Sequence, residues 1–158
     1  MRRPWNIVNS PVYALLTSNG AEFNANICTY VMAVSRKPKL YALALEHHSK
    51  TLDLLEENPQ TVLQMLTKQQ IWLVAPLGKK SGFKFSKRDY LEKNYGLSNW
   101  QGWPIIRDAA ANLLMETVNR ETTGDHELFT MKVVHYQTLQ EADILMFNHL
   151  IDERIILN

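Results

Sequence analysis

The feature that most limits how this chain can fold is the brevity of its apolar runs, each of which stops at turn residues after about one strand's length. Pro11 to Thr17 is such a run, and Ser18-Asn19-Gly20-Ala21 closes it with an Asn-Gly pair that accepts the positive φ of a tight hairpin. A second strand is expected near Ile27 to Ser35. Leu40 to Leu45 is too short for a buried helix and is bounded by turn residues, so it reads as a buried strand of a meander. Thr61 to Leu66 is a further strand. Glu127 to Tyr136 is another, because Phe129, Met131 and Val133 alternate with Thr130 and Lys132. Ala111 to Asn119 is read as a strand as well, although its Ala, Leu, Met and Glu favour helix, and Thr122 to His126 is the turn-rich connector that follows.

Helical signals interrupt this pattern. Ser49-Lys50-Thr51 opens a helix running to about Asn58, with Thr51 as the expected N-cap, Asp53 favourable in the first turn, Pro59 as the stop, and Leu52 and Leu55 facing inward. Lys68 to Ala75 is expected to form a short helix with Ile71, Leu73 and Val74 on its apolar side. The stretch from Gly78 to Pro104 is polar and rich in aromatics, with a Lys79-Lys80-Ser81-Gly82 turn and a loop carrying Trp100 and Trp103, and reads as an excursion. The expected fold is mainly β: a β-barrel with helical excursions. With 158 residues, 46% of them hydrophobic, and no internal repeat or Gly/Ser-rich linker, one domain over 1–158 suffices for a filled core.

Several function classes are disfavoured. Seventeen basic against sixteen acidic side chains leave a net charge of +1, so no strong field draws the chain to nucleic acid or to an anionic membrane. No segment approaches the roughly 20 apolar residues that span a bilayer. Cys28 is the single cysteine, which rules out an intrachain disulfide and cysteine-only metal sites. Pro4, Asn6, Asn9, Ser10 and Pro11 break any signal-peptide run. A soluble, unexported protein of a reducing cytoplasm is the expectation. No Gly-rich dinucleotide fingerprint, P-loop, zinc-spaced cluster or nucleophile elbow occurs, so redox or transfer chemistry would require a cofactor.

Six groups of residues carry chemical potential, each with a plainer alternative. Ser49, Lys50 and Thr51 combine the free amides of a helix start, hydroxyls and an ammonium, a set suited to a phosphate, but the same residues serve as an ordinary cap. Asn24-Ala25-Asn26-Ile27-Cys28-Thr29-Tyr30 places small and polar residues where a planar ligand could approach the backbone, or is simply a loop entering a strand. Cys28 is either a reactive thiol or a packing residue. His47-His48 could bind a metal, yet adjacent strand residues point to opposite faces and cannot easily share one ion, so they read as surface residues. Asp125-His126 suits acid/base work, the carboxylate orienting the imidazole, or else is turn chemistry, and Trp100 with Trp103 is either a stacking lid or satellite core.

Taken in order, these segments resemble the flavin reductase-like family of FMN-binding split barrels, from about Pro11 to Ile156. Four landmarks carry the resemblance: the Asn-Gly turn with Asn24-Ala25, Cys28-Thr29-Tyr30 and Val34-Ser35; Lys50-Thr51 before the Leu52–Leu55 helix; Leu77-Gly78 with Ser81-Gly82 and Lys87; and Gly124-Asp125-His126 before a strand. The resemblance implies FMN at a homodimer interface, with Asn24, Ala25, Cys28, Thr29 and Tyr30 near the ring or ribityl chain, Thr29 taking the family's hydroxyl position, and Ser49, Lys50 and Thr51 near the phosphate. It further implies that Ser81, Gly82 and Lys87 lie close to the flavin, and that His126 lies in a supporting role near a nicotinamide pocket. NADH or NADPH would be the co-substrate, and a redox or monooxygenase protein the partner. A flavoredoxin-like protein, fed electrons by a protein, is the implied alternative. The chain departs from the family's Asn-Ala-Met-Thr-Ala-Ser pattern at Asn26, Ile27 and Cys28, which removes one hydroxyl contact at Ile27.

Overall fold

Burial that alternates along the strands on both faces of one sheet organises the molecule. The computed structural model describes Met1 and residues 3–156, and Arg2, Leu157 and Asn158 lie outside the described residues. In chain order the elements are β1 (Tyr13–Ser18), β2 (Phe23–Cys28), β3 (Val31–Ser35), β4 (Leu40–Glu46), α1 (Lys50–Glu57), β5 (Gln60–Met65) and α2 (Val74–Gly78), the last entered through a 3-10 turn at Lys68–Leu73. Then follow α3 (Lys87–Asn94), β6 (Leu97–Trp100), β7 (Trp103–Ile106), β8 (Ala111–Thr123), β9 (His126–Thr138) and α4 (Phe147–Asp152).

Seven strands form one antiparallel sheet in the order β2-β1-β5-β8-β9-β4-β3. Its two ends, β2 and β3, are consecutive in sequence and joined only by Thr29 and Tyr30, so the sheet curls on itself as a split barrel. Tyr13 and Leu15 of β1, Leu63 of β5, and Phe129 and Met131 of β9 point into the barrel, where Leu52 and Leu55 of α1 join them. Ala14, Leu16 and Val62 point outward and are covered by α2, α3, α4 and the β6–β7 hairpin. Burial on both faces explains why β1 and β5 read as unbroken apolar runs. No helix among the described residues is long and apolar enough to cross a membrane.

The structure corrects several boundaries. The single strand expected over 27–35 is two strands, because the chain leaves one end of the sheet and enters the other at Thr29-Tyr30. Lys68 to Ala75 is a 3-10 turn that passes into α2. Trp100 and Trp103 are not in a loop: they face each other across β6–β7, whose turn uses Gln101 and Gly102, both at positive φ. Ala111 onward is a strand despite its helical composition, since pairing with both β5 and β9 outweighs local propensity. Register shifts near Leu114 and Thr117 let this 13-residue strand bend with the barrel.

Leu63 is fully buried at the centre of the interior. Leu63→Ala is expected to lower unfolding stability by about 2–5 kcal/mol in urea titrations, the range for a buried leucine that leaves a cavity.

Candidate functional site

Where β2 ends and the chain crosses to β3, a cleft of about 480 Å³ opens at the seam of the barrel, within the size range of small-molecule sites. One wall is β2 with the crossing residues, presenting Asn24, Asn26, Ile27, Cys28, Thr29 and Tyr30. The end of β4, the His47-His48 turn, and Ser49 and Lys50 at the start of α1 form the second. The segment from Gly78 to Gly82, with Lys87 of α3 and His126 at the start of β9, completes it.

The start of α1 follows from Ser49, whose extended backbone suits a cap and whose Oγ accepts the Leu52 N–H at 3.2 Å. Thr51, expected to be the cap, is the second residue of the helix: its buried Oγ1 instead accepts a hydrogen bond from Asn24 Nδ2 at 3.0 Å and ties α1 to β2. The Lys50 and Thr51 amides precede the first intrahelical acceptor, which leaves two donors at the positive end of the helix. Lys50 Nζ reaches Glu22 Oε1 at 2.8 Å.

Lys87 carries the most unusual electrostatics. It is 3% exposed, and its Nζ donates to the Leu77 carbonyl at 2.5 Å. No carboxylate pairs with it among the described residues, and burial lowers its pKa from 10.5 to about 8. A buried ammonium answered only by a carbonyl favours an anion in the cleft beside it. Gly82 lets the 78–82 segment approach: a Cβ there would stand 2.5 Å from Asn24 Oδ1 and 2.9 Å from Lys50 Cβ.

Some nominated residues stand behind the wall instead of on it. Ala25 is fully buried and packs in the outer cluster, because alternation along β2 turns it away from Asn24 and Asn26. Thr51 is the second such residue. Cys28 borders the cleft, yet its thiol belongs to the barrel interior, donates to the Ala44 carbonyl at 3.9 Å, and is pushed up to about 12 by burial, so packing and not reactivity describes it. Trp103 is core, and neither it nor Trp100 reaches the cleft.

His126 Nδ1 lies 2.6 Å from Asp125 Oδ1, and its ring centroid is 5.4 Å from that of Tyr30. The hydrogen bond with His126 holds the exposed Asp125 carboxyl below its ordinary value. His47 and His48, set aside as strand residues on opposite faces, both line the cleft, because β4 stops at Glu46 and His48 turns the chain with φ of 59°. His47 Nε2 is 3.4 Å from Glu127 Oε1 and makes no hydrogen bond among the described residues. Glu127 is fixed by Arg120 Nε at 2.9 Å and Thr122 Oγ1 at 2.8 Å, and the bond from Arg120 keeps its carboxyl low. Arg120 also reaches Glu56, which joins α1 to the β8–β9 hairpin. Lys79 and Lys80 were likewise missed as lining residues; the polar pair between a strand end and a helix cap was the one signal that could have found His47 and His48. No cluster of metal-ligating side chains occurs among the described residues.

Comparison with known proteins places this geometry. The profile of the flavin reductase like domain matches residues 1–150. A protein of Archaeoglobus fulgidus described as uncharacterized is 30% identical over 127 residues, covering 79% of this chain and 71% of its own. Among solved structures, the fold is similar to flavin reductase PheA2 in its native state (TM-score 0.77, 22% identity, 90% of this chain and 88% of that one). It is similar also to an FMN-binding protein from Thermus thermophilus with bound 1-cyclohex-2-enone (0.76, 20%, 87% and 75%) and to flavoredoxin from Methanosarcina acetivorans (0.73, 16%, 82% and 69%).

Gly82→Ala is expected to push Asn24 off Thr51 and to lower stability by about 1–3 kcal/mol, the cost of overpacking. Amide shifts in an NMR correlation spectrum should move at Asn24, Lys50 and Thr51; an unchanged spectrum there would show that the close approach is not needed.

Proposed function

Because the chain belongs to the flavin reductase-like domain family, we propose that it binds FMN in the seam cleft and works as an NAD(P)H-dependent flavin reductase. The observation that carries this reading is Lys87, a buried ammonium with no carboxylate partner among the described residues, lining the same cleft as Lys50 at the start of α1. A phosphate monoester meets both the charge and the donors at that place. The polar edge of β2, with Asn24, Asn26 and Thr29, would hold the ribityl chain and ring, while Ser81 and Gly82 close over them. FMN supplies hydride acceptance at N5 from NADH or NADPH and passes the electrons onward.

The chain's own residues then have modest tasks. Tyr30 and His126 flank the mouth where a nicotinamide would stack, and Asp125 fixes the orientation of His126. Alignment and exclusion of water suffice, so no side chain is assigned as acid or base. Tyr30 of the crossing and Met32 and Val34 of the edge strand β3 are exposed, a surface we assign to a second copy of the chain in a homodimer. A monooxygenase or other redox protein would take the electrons, in the cytoplasm. The likeness to flavoredoxin supports a second reading, in which FMN stays bound and a protein donor replaces the nicotinamide.

Anaerobic mixing with NADH and then NADPH tests the choice. At least one is expected to bleach the visible absorbance of bound or added FMN. Failure of both sinks the reductase reading, and bleaching by a chemical reductant alone would then favour the flavoredoxin-like one.

The pH dependence of binding tests Lys87. In the flavin-free protein its folded pKa of about 8 lies below the ordinary 10.5, so stability should rise as pH climbs between those values, where the unfolded chain binds more protons. FMN affinity should be flat from pH 7 to about 8 and fall roughly tenfold per unit above it, as the ammonium loses its proton before meeting the phosphate. Fluorescence titration of Lys87→Met should show weak binding without that slope.

A further inference from the structure

We propose that the end of the barrel opposite α1 is a second binding site, for a small aromatic carboxylate. This inference stands apart from the flavin reading. α1 plugs one end of the barrel through Leu52 and Leu55. At the other end a separate cavity of about 290 Å³ is open. β4 runs between the two ends, from Leu40 to Glu46, a span of about 20 Å.

Tyr41, Met65, Leu113 and Val133 belong to the interior cluster but are only partly buried, so their free surfaces wall this cavity, with Tyr136 along one side. Its volume lies at the low end of small-molecule sites, which suits one or two rings and not a dinucleotide. Apolar walls with aromatic members select a flat hydrophobic body.

The rim selects the charge. Lys39 is exposed there, with Nζ 5.9 Å from the Tyr41 ring centroid, and makes no ion pair among the described residues. Lys39 is the only charged side chain among the described residues that line the cavity, so the mouth is cationic. Gln137 accepts a hydrogen bond from Asn112 through Oε1, which leaves its amide donors to the cavity. A carboxylate attached to the buried ring would meet Lys39 at the rim.

The test uses the full chain, 4-methylbenzoate as probe and 4-methylbenzyl alcohol as its neutral counterpart, followed by methyl NMR. The acid should shift Met65, Leu113 and Val133 and leave Ile27 in the flavin cleft unmoved. Lys39→Ala should weaken the acid about fivefold, as for an exposed ion pair, with no effect on the alcohol. Leu113→Trp, which fills the cavity, should abolish binding of both. Shifts absent, or confined to Ile27 and its neighbours, overturn the proposal, as does equal loss of acid and alcohol in Lys39→Ala. A mouth covered by a second copy, shown by a dimer that Tyr136→Asp dissociates and a probe that binds only the dissociated form, overturns it too.

Discussion

The whole structure depends on a two-residue crossing. β2 and β3 occupy opposite ends of a seven-strand order, and Thr29 and Tyr30 are all that joins them. Three consecutive Cα steps reach at most about 11 Å, so the ends of the sheet must be brought together and the sheet must curl. The Tyr30 carbonyl already accepts the Ala44 N–H at 3.0 Å, which binds the crossing to β4 before β3 begins. Curling makes an inside for Leu63, Met115 and Met131, and a seam in which one edge of β2 has no strand partner among the described residues. The interior and the cleft therefore have one cause.

That cleft is held open by polar contacts around it. The Asn24–Thr51 bond fixes α1 to β2, and the Glu56–Arg120–Glu127 chain fixes the same helix to the β8–β9 hairpin. With the helix held near both ends, α1 presents its free amides in a set direction. Lys87 arrives from a different element, α3, and its own backbone support is the Leu77 carbonyl at the end of α2. Burying that ammonium costs folding free energy, and a local cost of this kind is where a site departs from what packing alone would choose.

Much of the barrel could be read from the sequence because its signals are local. The Asn19-Gly20 turn, the run from Leu40 to Leu45 and the alternation at Phe129, Met131 and Val133 each state their conformation within a few residues. The crossing at Thr29-Tyr30 could not be read, since nothing local distinguishes a strand that continues from one that changes partners. Thr51 looked like a cap by residue type, but the cap is decided by which hydroxyl sits on extended backbone, and that is Ser49. His47 and His48 were hidden for a similar reason: strand alternation separates them, and only the positive φ at His48 brings both to the cleft. The resemblance to a family brought distant segments together where periodicity could not. At Ala25 the two-residue alternation along β2 turns the side chain into the core.

The departure at Ile27 and Cys28 acquires a physical meaning in the structure. Cys28 faces the barrel interior among Tyr13, Leu43 and Leu45, where a small apolar side chain fits and a charged thiolate would not. Ile27 faces the other way, onto the outer cluster and the cleft wall, and it leaves Gly78 little room: a Cβ at Gly78 would lie 3.3 Å from Ile27 Cβ and Cγ1. The bulk gained at one position is thus accommodated by the absence of a side chain at the other. Where the family's pattern has a hydroxyl, Ile27 supplies apolar packing that braces the 78–82 segment against β2. That brace keeps Gly82 close to Asn24 and Lys50, so a residue with no hydroxyl to offer still sets the width of the cleft.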